Sequence, residues 1–280
     1  MPTSLLIVSY FAYLLSVWLV ALIPILILAI VGFLYSLYAK RNDIALVLFP
    51  VGIALSAITL FLILDYPSTV LEIVIILITI WATRKAYHLG AEHFTRTKES
   101  DQYARFRDTW KWLRARSFFQ IFLVQALYMS LVLSPVIVFV FSPGYVPLWQ
   151  ILLGMWLWLV GFVFQVVGDW QLGQFNKTPS RYGLEKGDLM TKGIWSITRH
   201  PHYFGEICMW WGIFIITLHS FSAWLLVPSI IGPVLLSFVT YKLSGVKTTE
   251  KYWQEKHPES FEKYKSSTPV LFPRIFRKKR

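Results

Sequence analysis

The strongest constraint on this chain is a series of apolar runs that no small soluble core has room for. They cover residues 5–38, 44–64, 68–87, 118–141, 148–168, 206–218 and 224–243. About 20 apolar residues in helical form span the hydrocarbon of a bilayer, and several of these runs are longer. Only 15% of the 280 residues are charged, well below the roughly 25% of a soluble domain. The chain is therefore expected to be all-α, a polytopic membrane protein. No polar stretch is long enough to build a second core, so residues 1–280 read as one integral membrane domain.

The charge of the loops sets an expected topology. Lys40 and Arg41 follow the first run, and the turn Asp65-Tyr66-Pro67 has no Lys or Arg. The third loop is rich in them, from Arg84 and Lys85 to Arg114 and Arg116. The turn at Ser142-Pro143-Gly144 has none; the fifth loop carries Lys177, Arg181, Lys186, Lys192 and Arg199, and the tail is basic. Lys and Arg collect in cytoplasmic loops, which predicts seven spans with the N-terminus outside and the C-terminus in the cytoplasm. The net charge of +12 then reflects topology, and no nucleic-acid partner is expected. The first run lacks a basic leader and a cleavage site and reads as a retained helix. It exceeds one span, so either Pro24 kinks it or its beginning lies at the interface. The last two runs, parted by residues around His219 and Ser220, read as a helical hairpin with a break at Gly232-Pro233. Residues 248–268 read as a polar tail helix, broken near Pro258, that caps the bundle.

Cys208 is the single cysteine, so no intrachain disulfide forms, and no Cys/His spacing suggests a metal. His88 and His93 have no evident metal partners and read as structural. Phosphate loops, nucleophile elbows and paired hydrolase carboxylates are missing. The polar motifs lie on the expected cytoplasmic side. Gln165 and Asp169 share a helix face at the end of the fifth run, followed by Asn176, Lys177 and Arg181 in what reads as a juxtamembrane loop. Gly193 to Glu206 reads GIWSITRHPHYFGE and places Arg199, His200, His202, Tyr203 and Glu206 at the mouth of the sixth run, where charge is costly. Pro201 suits the first turn of a helix. The free N–H groups of such a helix, with Arg199 and His200 beside them, suit a phosphate. Tyr203 and Glu206 pair a phenol donor with a carboxylate acceptor. The third loop, residues 98–120, interleaves basic and aromatic residues and is expected to lie on anionic headgroups or to pack against the cytoplasmic lid.

Three segments, DWQLGQFNKTP (169–179), GIWSITRHPHYFGE (193–206) and EKHPESFEKYKSSTPVLFP (255–273), resemble the membrane family related to steroid 5-alpha-reductase. The resemblance runs from about Trp81 to Phe276. The core from Arg199 to Gly205 is similar also to sterol reductases and isoprenylcysteine carboxyl methyltransferases. The resemblance implies that NADPH is held by the C-terminal spans and a lipid substrate by the N-terminal ones, residues 1–80. Carried over, Asp169, Asn176, Lys177, Arg181, Arg199, His200, Tyr203 and Glu206 become cofactor-binding candidates, with Lys177, Arg181 and Arg199 at phosphates. Tyr203 and Glu206 are also catalytic candidates. By the same alignment, Leu46 and Phe49 stand where family members often carry an aspartate and a tryptophan, and no carboxylate lies between Asp43 and Asp65. Tyr87 or Arg84 is then expected to polarise a substrate carbonyl.

The expected function is NADPH-dependent reduction of a conjugated double bond in a steroid-like or isoprenoid lipid. Two alternatives stay open: S-adenosylmethionine-dependent methyl transfer to a lipid-borne thiol or amine, and non-catalytic lipid binding. The endoplasmic reticulum and a bacterial inner membrane both fit. The terminal Arg277-Lys278-Lys279-Arg280 resembles a retrieval signal as much as a headgroup-binding tail.

Overall fold

The computed structural model describes residues 3–64, 67–219, 223–243 and 245–274. Asp65 and Tyr66, Ser220 and the basic end Arg277-Lys278-Lys279-Arg280 lie outside the described residues. Among the described residues the regular structure is entirely helical. Among the described residues, five helices are long and apolar enough to cross a membrane: Val8–Ala39, Ile44–Leu62, Leu113–Val132, Leu148–Lys177 and a fifth that begins at Trp224. This bears out an all-helical, multi-pass membrane protein. The chain forms two compact units, Met1–Pro147 with Thr217–Gly232, and Leu148–Ile216 with Pro233–Arg280.

The first unit begins with α1 (Thr3–Ala39), which stays helical through Pro24, and α2 (Ile44–Leu62). The fully buried Ser56 Oγ donates to Ala21 O at 2.6 Å and ties the two together. Ser68 caps α3 (Thr69–Thr95) by accepting the Leu71 N–H. A short α4 (Asp101–Thr109) follows, then α5 (Leu113–Arg116), which runs through a π-helical stretch, Ser117–Leu123, into α6 (Val124–Val132). The fourth apolar run thus breaks ahead of Pro135, where α7 (Ser134–Phe141) begins.

Polar residues at one end of this unit are buried together. The Arg41 guanidinium donates to both Asp43 oxygens at 3.0 and 3.2 Å and to Arg96 O at 2.8 Å. His93 Nδ1 lies 3.0 Å from Asp43 Oδ1, and its Nε2 is 3.3 Å from the Tyr35 hydroxyl. Glu99 accepts the Asn42 N–H and pairs with Arg107 at 3.0 Å. The network joins the α1–α2 turn to the α3–α4 turn. It gives His93 the structural role expected of it.

The second unit holds α8 (Leu148–Lys177), 3-10 turns at Pro179–Tyr182 and Gly193–Ser196, and α9 (Pro201–Thr217). Next come α10 (Ala223–Phe238), which contributes to both units, a π-helical stretch Val239–Leu243, α11 (Gly245–Lys256) and α12 (Pro258–Ser267). Residues 169–177, read as a loop, continue α8. α9 starts at Pro201 and the tail breaks between Lys256 and Pro258, both as expected. The break expected at Gly232-Pro233 is absent, because α10 runs through it. Pro233 denies a hydrogen bond to the carbonyl four residues back, that of Ser229. Ser134 Oγ donates to that carbonyl at 3.2 Å and accepts the Gly232 N–H at 2.9 Å. Such substitution by hydroxyls is how helices in apolar surroundings tolerate proline.

α8 and α9 meet backbone to backbone. A Cβ on Gly161 would fall within 3 Å of Gly205 O, one on Gly205 within 3 Å of Gly161 O, and Gly154 and Gly212 exclude each other in the same way. The spacing is seven residues on both helices, so one glycine per two turns returns to the same face. Small residues that let backbones approach are the usual means of association where no hydrophobic drive exists between helices.

Replacing Gly161 or Gly205 by leucine should therefore unfold the second unit or sharply lower its melting temperature in detergent. Gly173, with nothing within 4 Å of its would-be Cβ, should tolerate alanine and gain about 0.5–1 kcal/mol, the usual helix-interior difference. Equal melting temperatures for Gly161→Leu and Gly173→Ala would contradict the close-contact reading.

Candidate functional site

The motif ahead of α9 is set by its backbone. Gly193 opens it at φ 61°, a left-handed conformation, and a side chain there would strike Gln171, whose Oε1 accepts the Ile194 N–H at 2.9 Å. Trp195 is buried and donates its indole N–H to Gly168 O at 3.1 Å. Residues 197–199 then run beside the end of the tail. Arg199 N–H donates to Pro269 O and Arg274 N–H to Ile197 O, each at 2.9 Å, and Thr198 Oγ donates to Leu271 O at 2.8 Å. The Tyr264 hydroxyl donates to Trp195 O at 2.5 Å. The tail expected to act as a cap is thus bonded to the motif along its length.

Arg199 is 6% exposed. Its Nε donates to Glu250 Oε1 at 2.8 Å, and Nη1 donates to Lys265 O at 3.3 Å and Thr268 O at 2.5 Å. Those carbonyls end α12, where a cation complements both the free carbonyls and the helix dipole. The guanidinium expected to meet a phosphate therefore holds the tail.

His200 is fully buried, and its Nε2 lies 3.2 Å from Glu250 Oε1. A carboxylate only accepts, so Nε2 carries the proton and Nδ1 is an acceptor. Nδ1 has no partner among the described residues. The ring lies flat between Trp253, at 5.2 Å and 7°, and Tyr203, at 5.5 Å and 23°. Burial pushes the imidazole below its ordinary pKa and outweighs the pull of Glu250 in the other direction.

The remaining candidates separate into two groups. Tyr203 is packed beside Thr249 and lies within electrostatic reach of Glu206 and Asp169. Gln165 Nε2 donates to Glu206 Oε2 at 3.4 Å, with both residues buried, and Gln165 Oε1 has no partner among the described residues. Arg199, His200, Tyr203 and Glu206 are thus gathered with Gln165, and Asp169 is half-buried nearby. Asn176, Lys177 and Arg181 are exposed at the far end of α8 and in the turn after it, with Arg181 3.4 Å from Gln174. Tyr87 belongs to α3 in the first unit and is 80% exposed. Arg84 is half-buried there. Phe49 stacks on Tyr128 at 5.7 Å and packs edge-to-face against Trp81.

Sequence reasoning missed Glu250, Thr249 and Trp253, the partners of His200, Arg199 and Tyr203. Glu250 and Trp253 lie three apart on α11 and so share a face, but one carboxylate in a polar tail helix does not stand out without the surface it meets.

Removing one member of a fully buried ion pair costs about 3–5 kcal/mol, and less where the remaining partner, here Glu250, keeps some contact with solvent. Arg199→Ala should accordingly lower the melting temperature and expose residues 245–274 to protease, with or without any ligand. The acid response has a defined sign. The folded imidazole of His200 is depressed below the unfolded value near 6.5, so its contribution is complete above that pH. It is lost as the pH falls below it, because only the unfolded chain takes up the proton. In His200→Phe, melting temperature should fall less steeply between pH 7 and 5 than in the parent; an unchanged slope would remove His200 from the acid response.

No curated protein matches the chain. A family model matches residues 32–268, a range that takes in the Asp43 network, the α8–α9 contact and the tail through Thr268; the chain belongs to the family described as "Protein of unknown function (DUF1295)".

Proposed function

We propose that this protein is an NADPH-dependent reductase of a conjugated double bond in a steroid-like or isoprenoid lipid. In this reading it has seven spans, with the N-terminus outside and the C-terminus in the cytoplasm of an endoplasmic-reticulum or bacterial inner-membrane protein. The observation that carries the reading is the buried Gln165–Glu206 pair, with an acceptor on Gln165 that has no partner among the described residues. A buried acceptor without a donor is costly, and a ligand group offering two N–H donors fits it. The nicotinamide carboxamide is such a group.

The other residues take roles consistent with that placement. Lys177 and Arg181, exposed at the end of α8 and in the following turn, suit the phosphates better than Arg199. Asp169 and Asn176 suit the ribose hydroxyls. Bound NADPH supplies the hydride. Tyr203, which lies within electrostatic reach of Asp169 and Glu206, or water, gives the proton to the adjacent carbon. His200 positions Tyr203 by stacking. Burial of Gln165 and Glu206 keeps water from competing for the ligand's hydrogen bonds.

The resemblance and the same acceptors also suit the amines of S-adenosylmethionine, which lacks phosphates, so methyl transfer to a lipid-borne thiol or amine is the second reading. Thermal stabilisation of the purified protein decides between them, since a ligand that binds the folded state raises apparent stability. NADPH should stabilise the parent, and Lys177→Gln/Arg181→Gln and Glu206→Gln should each weaken that effect. A charge-assisted hydrogen bond is worth about 1.5–3 kcal/mol, so affinity should fall at least tenfold in Glu206→Gln. Stabilisation by S-adenosylmethionine alone, insensitive to the double variant, would replace the reductase with a methyltransferase. No stabilisation by either would favour a non-catalytic lipid-binding protein.

A further inference from the structure

Between α4 and the membrane-crossing stretch Leu113–Val132 the chain turns through Trp110-Lys111-Trp112. Trp112 holds φ 58° and ψ 46°, in the left-handed region. A residue with a Cβ is strained there, and Lys40 is the one other non-glycine residue of that sign among the described residues. The indole is also 86% exposed. A tryptophan held in a strained conformation and then left in solvent gains little from its own protein. Backbone strain of this kind persists where the surroundings enforce it, and it marks candidate ligand clamps.

The surroundings of Trp112 are cationic and firmly mounted. Lys111, Arg114 and Arg116 are exposed. Among the described residues, none of the three has a carboxylate within ion-pair distance. The Arg116 guanidinium sits 5.9 Å over the Trp110 ring, which stacks on Phe106 at 4.5 Å. Trp110 and Phe106 pack on a buried cluster that includes Tyr103, Ile121 and Phe122. Trp112, Leu113, Arg114 and Ala115 form an open surface at the turn. Phe119, further along the helix, is 57% exposed.

We propose that this elbow seats one anionic phospholipid of the surrounding bilayer. Arg114 takes the phosphate, with Lys111 and Arg116 adding positive charge around it; the indole of Trp112 lies in the interfacial layer beside the glycerol, and Ala115 and Phe119, four apart on the helix, meet the start of the acyl chains. The charge is complementary, since each Lys or Arg near an anionic surface adds attraction. Tryptophan belongs at the membrane–water boundary. A soluble phosphate would meet the cations and leave the indole and Phe119 unused, so a lipid is the better occupant. The proposal is independent of whether the second unit binds a nucleotide.

The test counts lipid retained on the full-length protein. Delipidated protein is offered equal amounts of phosphatidylglycerol and phosphatidylcholine, and bound lipid is counted by native mass spectrometry. The parent should retain phosphatidylglycerol several-fold over phosphatidylcholine. Trp112→Gly separates strain from binding, because glycine is at ease at φ 58°. Its melting temperature should hold or rise while retained phosphatidylglycerol falls several-fold. Arg114→Gln/Arg116→Gln should lose the preference at an unchanged melting temperature. Equal retention in all three proteins would overturn the proposal. So would a loss in Trp112→Gly that tracks a lower melting temperature, or a preference abolished by millimolar inorganic phosphate in the parent.

Discussion

Gly161 and Gly205 touch backbone to backbone, and the second unit takes its shape from that contact. With no Cβ on either residue, α8 and α9 approach far more closely than side chains allow. The next polar residue along α8, Gln165, then reaches the next along α9, Glu206, at 3.4 Å. One glycine further, Gly168 lies against Pro201, and its carbonyl accepts the indole N–H of Trp195. The register of this seam decides which polar groups meet, much as the register of a strand decides which face its side chains take.

The tail adds what the seam lacks. Glu250 approaches from α11 and takes both Arg199 and His200, so the cation, the carboxylate and the imidazole are solved together. The buried guanidinium of Arg199 is not stable alone in that position, because a buried charge without a partner is costly. The same logic governs the first unit, where Asp43 is held by Arg41 and His93. In both places a carboxylate links segments far apart in sequence, and a histidine beside it takes part in the link.

Much of the helical layout was legible from residues alone. Apolar length marked the helices, Pro201 marked the start of α9, and Pro258 the break before α12, because proline has no N–H to give and fits the first turn. Two expectations failed for an identifiable reason. Gly232-Pro233 stays helical because Ser134, 98 residues earlier than Gly232, satisfies the backbone there. Residues 169–177 remain in α8 although their composition reads as a loop, because Phe175 is buried against Met190 and Trp195. Neither partner is visible in a local window.

The sequence by itself determined that the protein is all-helical and built for a membrane. It also determined that Arg199, His200, Tyr203 and Glu206 cluster, since residues this close in sequence around one helix start are neighbours without tertiary information. Only the tertiary structure decided what these residues do there. It gave Arg199 and His200 to Glu250, gave Glu206 to Gln165, left Lys177 and Arg181 in solvent, and placed Tyr87 on the surface of the other unit. The physical reason is that helix periodicity fixes which residues share a face, whereas the partner of a buried charge depends on which distant segment packs against that face.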